Sequence, residues 1–196
     1  MGYAPPEGLV DLVESMKRAA GAFDDAEIPV VLGGGLAAWA RGGPVTDHDV
    51  DFFVREEHVE QALETLARHG MRTERPSEGW LLKAWDGDVL IDLIHHPAGL
   101  PVDDALFSRA SRLDVLAQPI DVASAGDVLA TKILALSEQD PNLRPVLEIA
   151  RALREQVDWA FVRASVQDTP FGAAVLTLAE RLDIAPEAVG TTPVAV

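Results

Sequence analysis

The segment DVDFFV, which spans Asp49–Val54, places two carboxylates in a run that is otherwise apolar. Because side chains alternate between faces along a β-strand, Asp49 and Asp51 share one face, while Val50 begins an apolar face on the other side. Carboxylates at this spacing have Cα atoms roughly 6.6 Å apart, and burying both in the charged form is costly. The segment therefore predicts a core strand whose acidic face borders a cleft that holds a cation.

A third acid has the same local setting in the segment VLIDLIH, where Asp92 stands between Ile91 and Leu93. If its strand lies beside the strand of Asp49 and Asp51, three carboxylates converge. Ligands that are all oxygen favour Mg²⁺ or Mn²⁺. Such a set can hold two metal ions roughly 4 Å apart, the arrangement that clamps the attacking and leaving oxygens in phosphoryl-type transfer.

Three consecutive glycines, Gly33 to Gly35, follow the short β-branched run Ile28–Leu32. This run predicts a buried strand that stops at a tight turn, and Leu36–Arg41 predicts a short helix that opens from the turn. A glycine turn in front of a helix offers free backbone N–H groups, which suit a phosphate. The turn is thus a candidate anion site near the acidic strand.

Apolar periodicity elsewhere predicts an α/β (α+β) fold, in which helices flank a mixed β-sheet and a helical part follows it. We expect a core at residues 1–122 and a helical region at residues 123–196 packed on it. The turn Asp86-Gly87-Asp88 joins two strand-like runs, and Asp-Gly is the favoured type I′ hairpin pair. The predicted helices lie at 7–23, 56–70, 144–156, 158–166 and 171–182, with another that starts at Ser124, and the predicted strands at 80–85, 89–94, 113–116 and 119–122.

Composition narrows the function classes that the chain can serve. The 196 residues contain no cysteine, which excludes disulfides, thiol catalysis and thiolate zinc sites. The net charge of −16 counts against a broad nucleic-acid-binding face, because an acidic surface repels phosphate backbones. No stretch approaches the roughly 18 apolar residues of a membrane helix, and the N-terminal segment lacks the pattern of a signal peptide. We therefore expect a cytoplasmic protein with no membrane partner.

In their order and strand context, the glycine turn, the acidic pair and the later acid resemble the DNA polymerase β-type nucleotidyltransferase superfamily. The signature of that superfamily is a Gly-Gly or Gly-Ser turn, a helix, an Asp-x-Asp pair on the next strand and a third acid further on. The resemblance covers roughly residues 28 to 150. The matching residues are Gly34 and Gly35 in the turn, Asp49 and Asp51 in the pair, and Asp92 as the third acid.

The segment SAGDVLATKILAL, at 124–136, is similar to the AbiEii and MenT-type branch of this superfamily. In that branch a lysine on such a helix contacts the triphosphate, which points to Lys132. The branch also carries a basic residue and two aspartates one helix later. The nearest match here is Arg144 to Glu148, where a proline takes the place of the first aspartate.

Two departures from the superfamily pattern concern the nucleotide site. Gly35 stands where a serine often provides a hydroxyl, and Thr46 remains from an Arg-x-Thr segment whose arginine is missing. The resemblance implies that Thr46 belongs to the nucleotide site. The register leaves an alternative open, since Asp47 and Asp49 could form the metal pair in place of Asp49 and Asp51.

The resemblance implies transfer of a nucleotidyl group from an NTP to an acceptor hydroxyl, with release of pyrophosphate. Asp49 and Asp51 would bind both metals, and Asp92 would complete the second site and take the acceptor proton. The acceptor is open: tRNA, if the chain is a toxin with an antitoxin partner, or a protein, or a small molecule such as an aminoglycoside or lincosamide. The charge of −16 favours a small or cationic acceptor slightly. The alternative is a non-catalytic nucleotide-binding or regulatory module of the same fold.

The histidines offer a weaker signal. His95 and His96 end a predicted strand, where successive side chains point apart, so we do not expect them to act as a ligand pair. His48 is expected at the surface. The tryptophans at 39, 80 and 85 are expected in the core or at its rim, with the possibility that one stacks on a nucleobase.

Overall fold

The computed structural model describes residues 7–46, 48–77, 79–97 and 99–187. Within these ranges lies a mixed sheet of seven strands. The strands are β1 (Val30–Leu32), β2 (Asp49–Val54), β3 (Arg72–Glu74), β4 (Leu81–Asp86), β5 (Val89–Ile94), β6 (Ser111–Val115) and β7 (Gln118–Val122). Their spatial order is β3-β4-β5-β2-β1-β7-β6, so β2 and β5 lie near the centre of the sheet.

Eight helices in the described part of the chain pack on the sheet and on one another. They are α1 (Glu7–Asp25), α2 (Gly34–Ala40), α3 (Glu56–Arg68), α4 (Asp104–Arg109), α5 (Ala125–Leu134), α6 (Leu143–Leu153), α7 (Trp159–Val166) and α8 (Pro170–Arg181). None of them is both long and apolar enough to cross a bilayer. The predicted fold class is confirmed, because helices flank a mixed sheet and a run of helices follows it.

Two local features differ from the prediction. The edge strand β3 has the polar sequence RTE, which carries no apolar alternation, and it pairs with β4 while the Arg72 guanidinium stacks on Trp85 at 3.7 Å from the ring centroid. The β4–β5 hairpin has Gly87 and Asp88 as its loop residues, and of these only Gly87 has a positive φ, of 63°. A type I′ turn requires positive φ at both positions, so the turn fits type II′ instead.

Strand register brings the predicted site residues together. β2 pairs with β5 in parallel and sets Asp51 directly beside Asp92. β4 runs antiparallel to β5 and sets Lys83 opposite Asp92. On the other side of β2, the N–H of Gly33 donates a hydrogen bond to the carbonyl oxygen of Asp51 at 2.8 Å. The acids, a lysine and the glycine turn therefore meet near the middle of the sheet.

Buried side chains form one continuous cluster on both sides of the predicted boundary between residues 122 and 123. Arg41, which follows α2, donates hydrogen bonds to the carbonyl oxygens of Val122 and Ala123, where β7 passes into α5. These contacts fix α5 against the sheet. The division into a core at 1–122 and a helical region at 123–196 stays a prediction.

The carboxylate of Asp127 is the main polar anchor of α5, and the residue is 0% exposed. Arg109, at the end of α4, donates to both carboxylate oxygens, with its shortest contact at 2.6 Å, and stacks over Phe161 of α7. The Ser124 hydroxyl donates to the same carboxylate at 2.6 Å and accepts the N–H of Asp127. Ser124 thus caps α5, while the Asp127 carboxylate joins α5 to Arg109 of α4, whose guanidinium in turn lies over Phe161 of α7.

We expect Arg109→Ala to lower the free energy of unfolding by about 3 kcal/mol, because it leaves a buried carboxylate without its cation. Urea unfolding of the purified chain measures the change. The matched control is Arg75→Ala, since Arg75 and Glu60 are both exposed and their ion pair should contribute little to the stability. Equal losses for the two variants would contradict the anchoring role of Asp127.

Candidate active site

Three carboxylates converge where β2 and β5 run side by side. One oxygen from each of Asp49, Asp51 and Asp92 lies within 4.8 Å of the other two. Asp51 and Asp92 are each only 7% exposed, and Asp49 is half-buried. The geometry therefore brings together the pair and the third acid that the sequence singles out. The residue of the alternative pair, Asp47, lies outside the described residues.

Electrostatics at this cluster favour a bound cation. Burial raises the pKa of Asp51 to about 7, and the neighbouring charge of Asp49 adds to the shift, while Lys132 and Lys83 oppose it. Burial also raises the pKa of Asp92, and the hydrogen bond from Lys83 opposes that shift. The charged form of the cluster is thus unfavourable without more positive charge than the two lysines supply. Three carboxylate donors without thiol or imidazole fit Mg²⁺ or Mn²⁺.

Lys83 is a site residue that the sequence analysis missed. Its Nζ donates a hydrogen bond to Asp92 Oδ1 at 3.0 Å, and both side chains are largely shielded from solvent. The signal was present, because a two-residue hairpin loop fixes which residues of β4 and β5 face each other. Asp86 pairs with Val89 across the loop, and three residues further from the loop on each strand Lys83 pairs with Asp92. Lys83 therefore holds the third carboxylate in place.

The glycine turn lies directly against the acidic strand. Gly34 has a φ of +57°, and a Cβ at this position would lie 1.6 Å from Asp51 Oδ2. A Cβ on Gly35 would lie 2.6 Å from Thr46 Oγ1. Only glycine lets the backbone approach the carboxylate and the hydroxyl this closely. The predicted turn residues and Thr46 thus border the acids.

Two cavities meet at Asp49 and Lys132. The first, of about 540 Å³, extends over Asp92 and is lined by Lys132 from α5. The second, of about 430 Å³, extends over Gly35 and Thr46. Most of the first cavity's remaining wall is apolar and consists of Phe53, Trp80, Ile94, Pro97, Leu134 and Leu136.

The later basic and acidic match lies at the edge of this region. Glu148 lines the second cavity, while Arg144 is highly exposed and pairs with Glu148 at 2.8 Å. This contact is an ordinary i,i+4 pair on the surface of α6, which contributes little stability. His48 is exposed, as expected, and also lines the second cavity.

The prediction that His95 and His96 point apart is wrong. β5 ends at Ile94, and the N–H groups of both histidines donate to the same carbonyl oxygen, that of Trp80, at 3.1 Å. The backbone therefore bends, so the strand alternation no longer applies. The two rings stand edge to face with centroids 5.5 Å apart, and their Nδ1 atoms are separated by 3.4 Å.

Comparison with known proteins identifies one matching family and several solved structures with a similar fold. The family described as "Nucleotidyl transferase of unknown function (DUF2204)" matches residues 12–182. A search of curated proteins found no match. The antibiotic-resistance factor ANT(2'')-Ia in solution has a TM-score of 0.63 and 18% identity over 89% of this chain and 96% of that one. Its crystal structure with adenylyl-2''-tobramycin gives 0.58 and 16% over 85% and 97%.

A third similar structure is an antigenic nucleotidyltransferase-like protein from Paracoccidioides brasiliensis. It has a TM-score of 0.51 and 16% identity, over 85% of this chain and 93% of that one. At such low identities the likeness concerns the fold alone. The mixed sheet and its flanking helices are therefore shared with these proteins.

We expect Gly34→Ala to lower the free energy of unfolding by more than about 1 kcal/mol, because the new Cβ meets Asp51 Oδ2 at a positive φ. Gly21→Ala is the matched control. Gly21 lies within α1 with open space around it, so alanine should be neutral or stabilise the helix by up to about 1 kcal/mol. Urea unfolding of both variants checks the difference, and a neutral Gly34→Ala would disprove the close approach.

The raised pKa of Asp51 predicts a pH-dependent stability in metal-free buffer with EDTA. Between about pH 4 and pH 7 the folded chain keeps the Asp51 proton while the unfolded chain loses it, so the free energy of unfolding falls as pH rises. The loss from this group is on the order of 4 kcal/mol by pH 8. Asp51→Asn should reduce that fall and leave the smaller part that comes from Asp92, whereas Asp88→Asn, in the exposed hairpin loop, should keep it in full. Urea titrations at pH 5 and pH 8 measure the free energy of unfolding of the native chain and both variants. The same change between the two pH values in all three chains would refute the raised pKa of Asp51.

Proposed function

The chain belongs to the nucleotidyl transferase family DUF2204, and we propose that its acidic cleft transfers a nucleotidyl group from an NTP to a hydroxyl of a small acceptor molecule. The observation that carries this proposal is the convergence of Asp49, Asp51 and Asp92 beside a glycine turn and Lys132. The predicted superfamily resemblance is confirmed by the family match. The closer likeness to the AbiEii and MenT-type branch stays a prediction.

Metal ions fit the donor set of the cleft. Asp49 and Asp51 would hold two divalent ions, Mg²⁺ or Mn²⁺, and Asp92 would complete the second position. Bound there, such ions neutralise phosphate charge and align the attacking and leaving oxygens. The raised pKa values of Asp51 and Asp92 support this assignment, because a cation would relieve the burial of their charges.

Asp92 is the proposed general base for the acceptor hydroxyl. Lys83 holds Oδ1 of this carboxylate, which leaves Oδ2 as the oxygen that can face the acceptor. In the transfer, the acceptor oxygen forms a bond to the α-phosphorus and its proton passes to Asp92. The bond from the α-phosphorus to the oxygen that bridges to the β-phosphorus breaks, and its electron pair leaves with pyrophosphate.

The triphosphate is proposed to lie on the side of the second cavity. Gly35 and Thr46 line that cavity, with the Thr46 hydroxyl next to Gly35, and the adjoining Gly34 brings the backbone close to Asp51. Lys132 reaches the junction of both cavities, where its ammonium group can neutralise the outer phosphates. Arg144 and Glu148 remain a surface pair at the margin, and we assign them no chemical role.

The first cavity is proposed as the acceptor site, because it extends over Asp92. Its volume of about 540 Å³ suits a small molecule. Its apolar wall suits a compound with a hydrophobic frame and at least one hydroxyl, and Trp80 offers a ring face at the rim. The net charge of −16 disfavours a long phosphate-bearing acceptor, so tRNA modification by a toxin with an antitoxin partner is the second candidate.

Incubation with α-labelled NTPs and Mg²⁺ tests the proposal. Separate reactions contain hydroxylated small molecules, including aminoglycosides and lincosamides, total tRNA, or cell protein. We expect label transfer to a small molecule and stoichiometric pyrophosphate release. Asp49→Asn should reduce the rate more than about a hundredfold, because the loss of an outer-shell metal partner alone costs 10- to 100-fold. The matched control, Asp88→Asn, should retain the full rate.

Other results of the same assay have defined meanings. Transfer to tRNA would replace the small-molecule acceptor with the toxin function, and transfer to protein would indicate a regulatory modification. Calorimetry with each NTP and Mg²⁺ separates the remaining alternative. Binding of an NTP without transfer to any pool would identify a non-catalytic module, and the absence of NTP binding would sink the enzymatic proposal.

A further inference from the structure

A second group of side chains that could bind a metal lies at the C-terminal ends of the central strands β2 and β5. The two strands are parallel, and Phe53 near the end of β2 pairs with Ile94 at the end of β5. β2 is followed by α3, whose first residue is Glu56, and β5 is followed by His95 and His96. The parallel register thus brings a carboxylate and two imidazoles to one place from two different segments.

The separations between these side chains match those of a metal site. One ligand atom from each of Glu56, His95 and His96 lies within 4.8 Å of the other two. The two Nδ1 atoms are 3.4 Å apart, and His96 Nδ1 is 3.9 Å from Glu56 Oε2. Ligand atoms about 2.0–2.1 Å from a tetrahedral zinc ion are roughly 3.3–3.4 Å from one another. Small side-chain rotations therefore suffice to close the set around one ion.

The backbone conformation explains how two consecutive histidines can bind the same metal ion. The N–H groups of His95 and His96 both donate to the carbonyl oxygen of Trp80, at the start of the β4–β5 hairpin. This forked contact holds the bend after Ile94, and the bend sets the two rings against each other. The pair is consequently positioned by the sheet itself.

We propose that Glu56, His95 and His96 form a second metal site, which binds a single Zn²⁺ ion and leaves its fourth position open. Two imidazole nitrogens and one carboxylate oxygen are a common zinc donor set with an open position. The acidic cluster of Asp49, Asp51 and Asp92 has only hard oxygen donors and selects Mg²⁺ or Mn²⁺ instead. The two sites therefore differ in ion preference.

The proposed zinc site adjoins the wall of the first cavity, which His96 lines. Asp92 and His95 are three positions apart in the chain, which corresponds to about 10 Å in an extended strand. His96 and Pro97 line the first cavity together with Trp80. A zinc ion would tie this wall to the start of α3 and fix the cavity entrance. The inference rests on the geometry of Glu56, His95 and His96 and does not depend on the transfer activity.

The charges around the group favour a cation. Glu60, one turn further along α3, acts electrostatically on His95 together with Glu56. Arg75 pairs with Glu60 and reduces its contribution. Without a metal, the same contacts would be a hydrogen bond between the two imidazoles and an ion pair between His96 and Glu56. The two explanations differ in whether the chain binds zinc through these three side chains.

Calorimetric titration with ZnCl₂ tests the site in the full chain carrying Asp49→Asn and Asp51→Asn, which silence the acidic cluster. We expect one zinc ion per chain. Adding His95→Ala or His96→Ala should weaken zinc binding more than roughly tenfold, since each removes a direct ligand. The matched control is His69→Ala, because His69 is an exposed histidine at the other end of α3, and its Nδ1 contacts the Thr65 carbonyl oxygen at 2.9 Å. That variant should bind zinc with unchanged affinity.

A second measurement avoids the acidic-cluster substitutions. Co²⁺ added to the chain with its native aspartates should give the visible absorption of a tetrahedral ion with nitrogen ligands, and His96→Ala should abolish it while circular dichroism stays unchanged. Zinc affinity that is the same in the His95→Ala and His69→Ala variants would overturn the proposal. So would a Co²⁺ spectrum that shows octahedral oxygen coordination only. Either result would leave the two histidines as a hydrogen-bonded surface pair.

Discussion

The parallel pairing of β2 with β5 is the constraint on which the rest of the structure depends. It sets Asp51 beside Asp92 in a nearly solvent-free position, where burial raises the pKa of both carboxyl groups. The opposite faces of the same strands are apolar and lock the register, because a slip of one residue would turn the acids into the core. The repulsion between the carboxylates is partly offset by Lys83 from the neighbouring strand. The fold thus carries an electrostatic cost, because it keeps three carboxylates close together at the centre of its sheet.

The helical part of the chain completes this site. α5 carries Lys132 to the junction of the two cavities, and the position of α5 depends on buried polar contacts. Arg109 and Ser124 engage the carboxylate of Asp127, while Arg41 binds the carbonyl groups that precede the helix. Since Arg109 joins α4 to α5 and Arg41 joins the end of α2 to the start of α5, a change in this packing would shift α5 and with it Lys132. Stability and site geometry are coupled through this one helix.

The sequence predicted the central features because their residues follow simple periodicity. Alternation of acids and apolar residues located β2 and β5 with their observed bounds, and the glycine turn was recognised from its position after a buried strand. The polar strand β3 escaped because it is held by pairing and by the stacking of Arg72 on Trp85, neither of which leaves an apolar pattern. The orientation of His95 and His96 was predicted wrongly because the alternation of β5 was extended beyond Ile94, where the strand ends. Lys83 was missed although the hairpin register identifies it.

Some residues that line the cavities belong to the family motif and others do not. This difference explains why family membership fixes the reaction type and leaves the acceptor open. The acids and the glycine turn belong to the motif, and they line part of each cavity, with Asp49 common to both. The wall that an acceptor would touch comes from Trp80, Pro97 and the end of α5, which lie outside the motif. These residues can change without disturbing the pairing of Asp51 with Asp92, so acceptor specificity can diverge while the chemistry stays the same. The bend after Ile94 matters for this reason: it places His96 and Pro97 on the wall of the first cavity and joins that wall directly to β5, which carries Asp92.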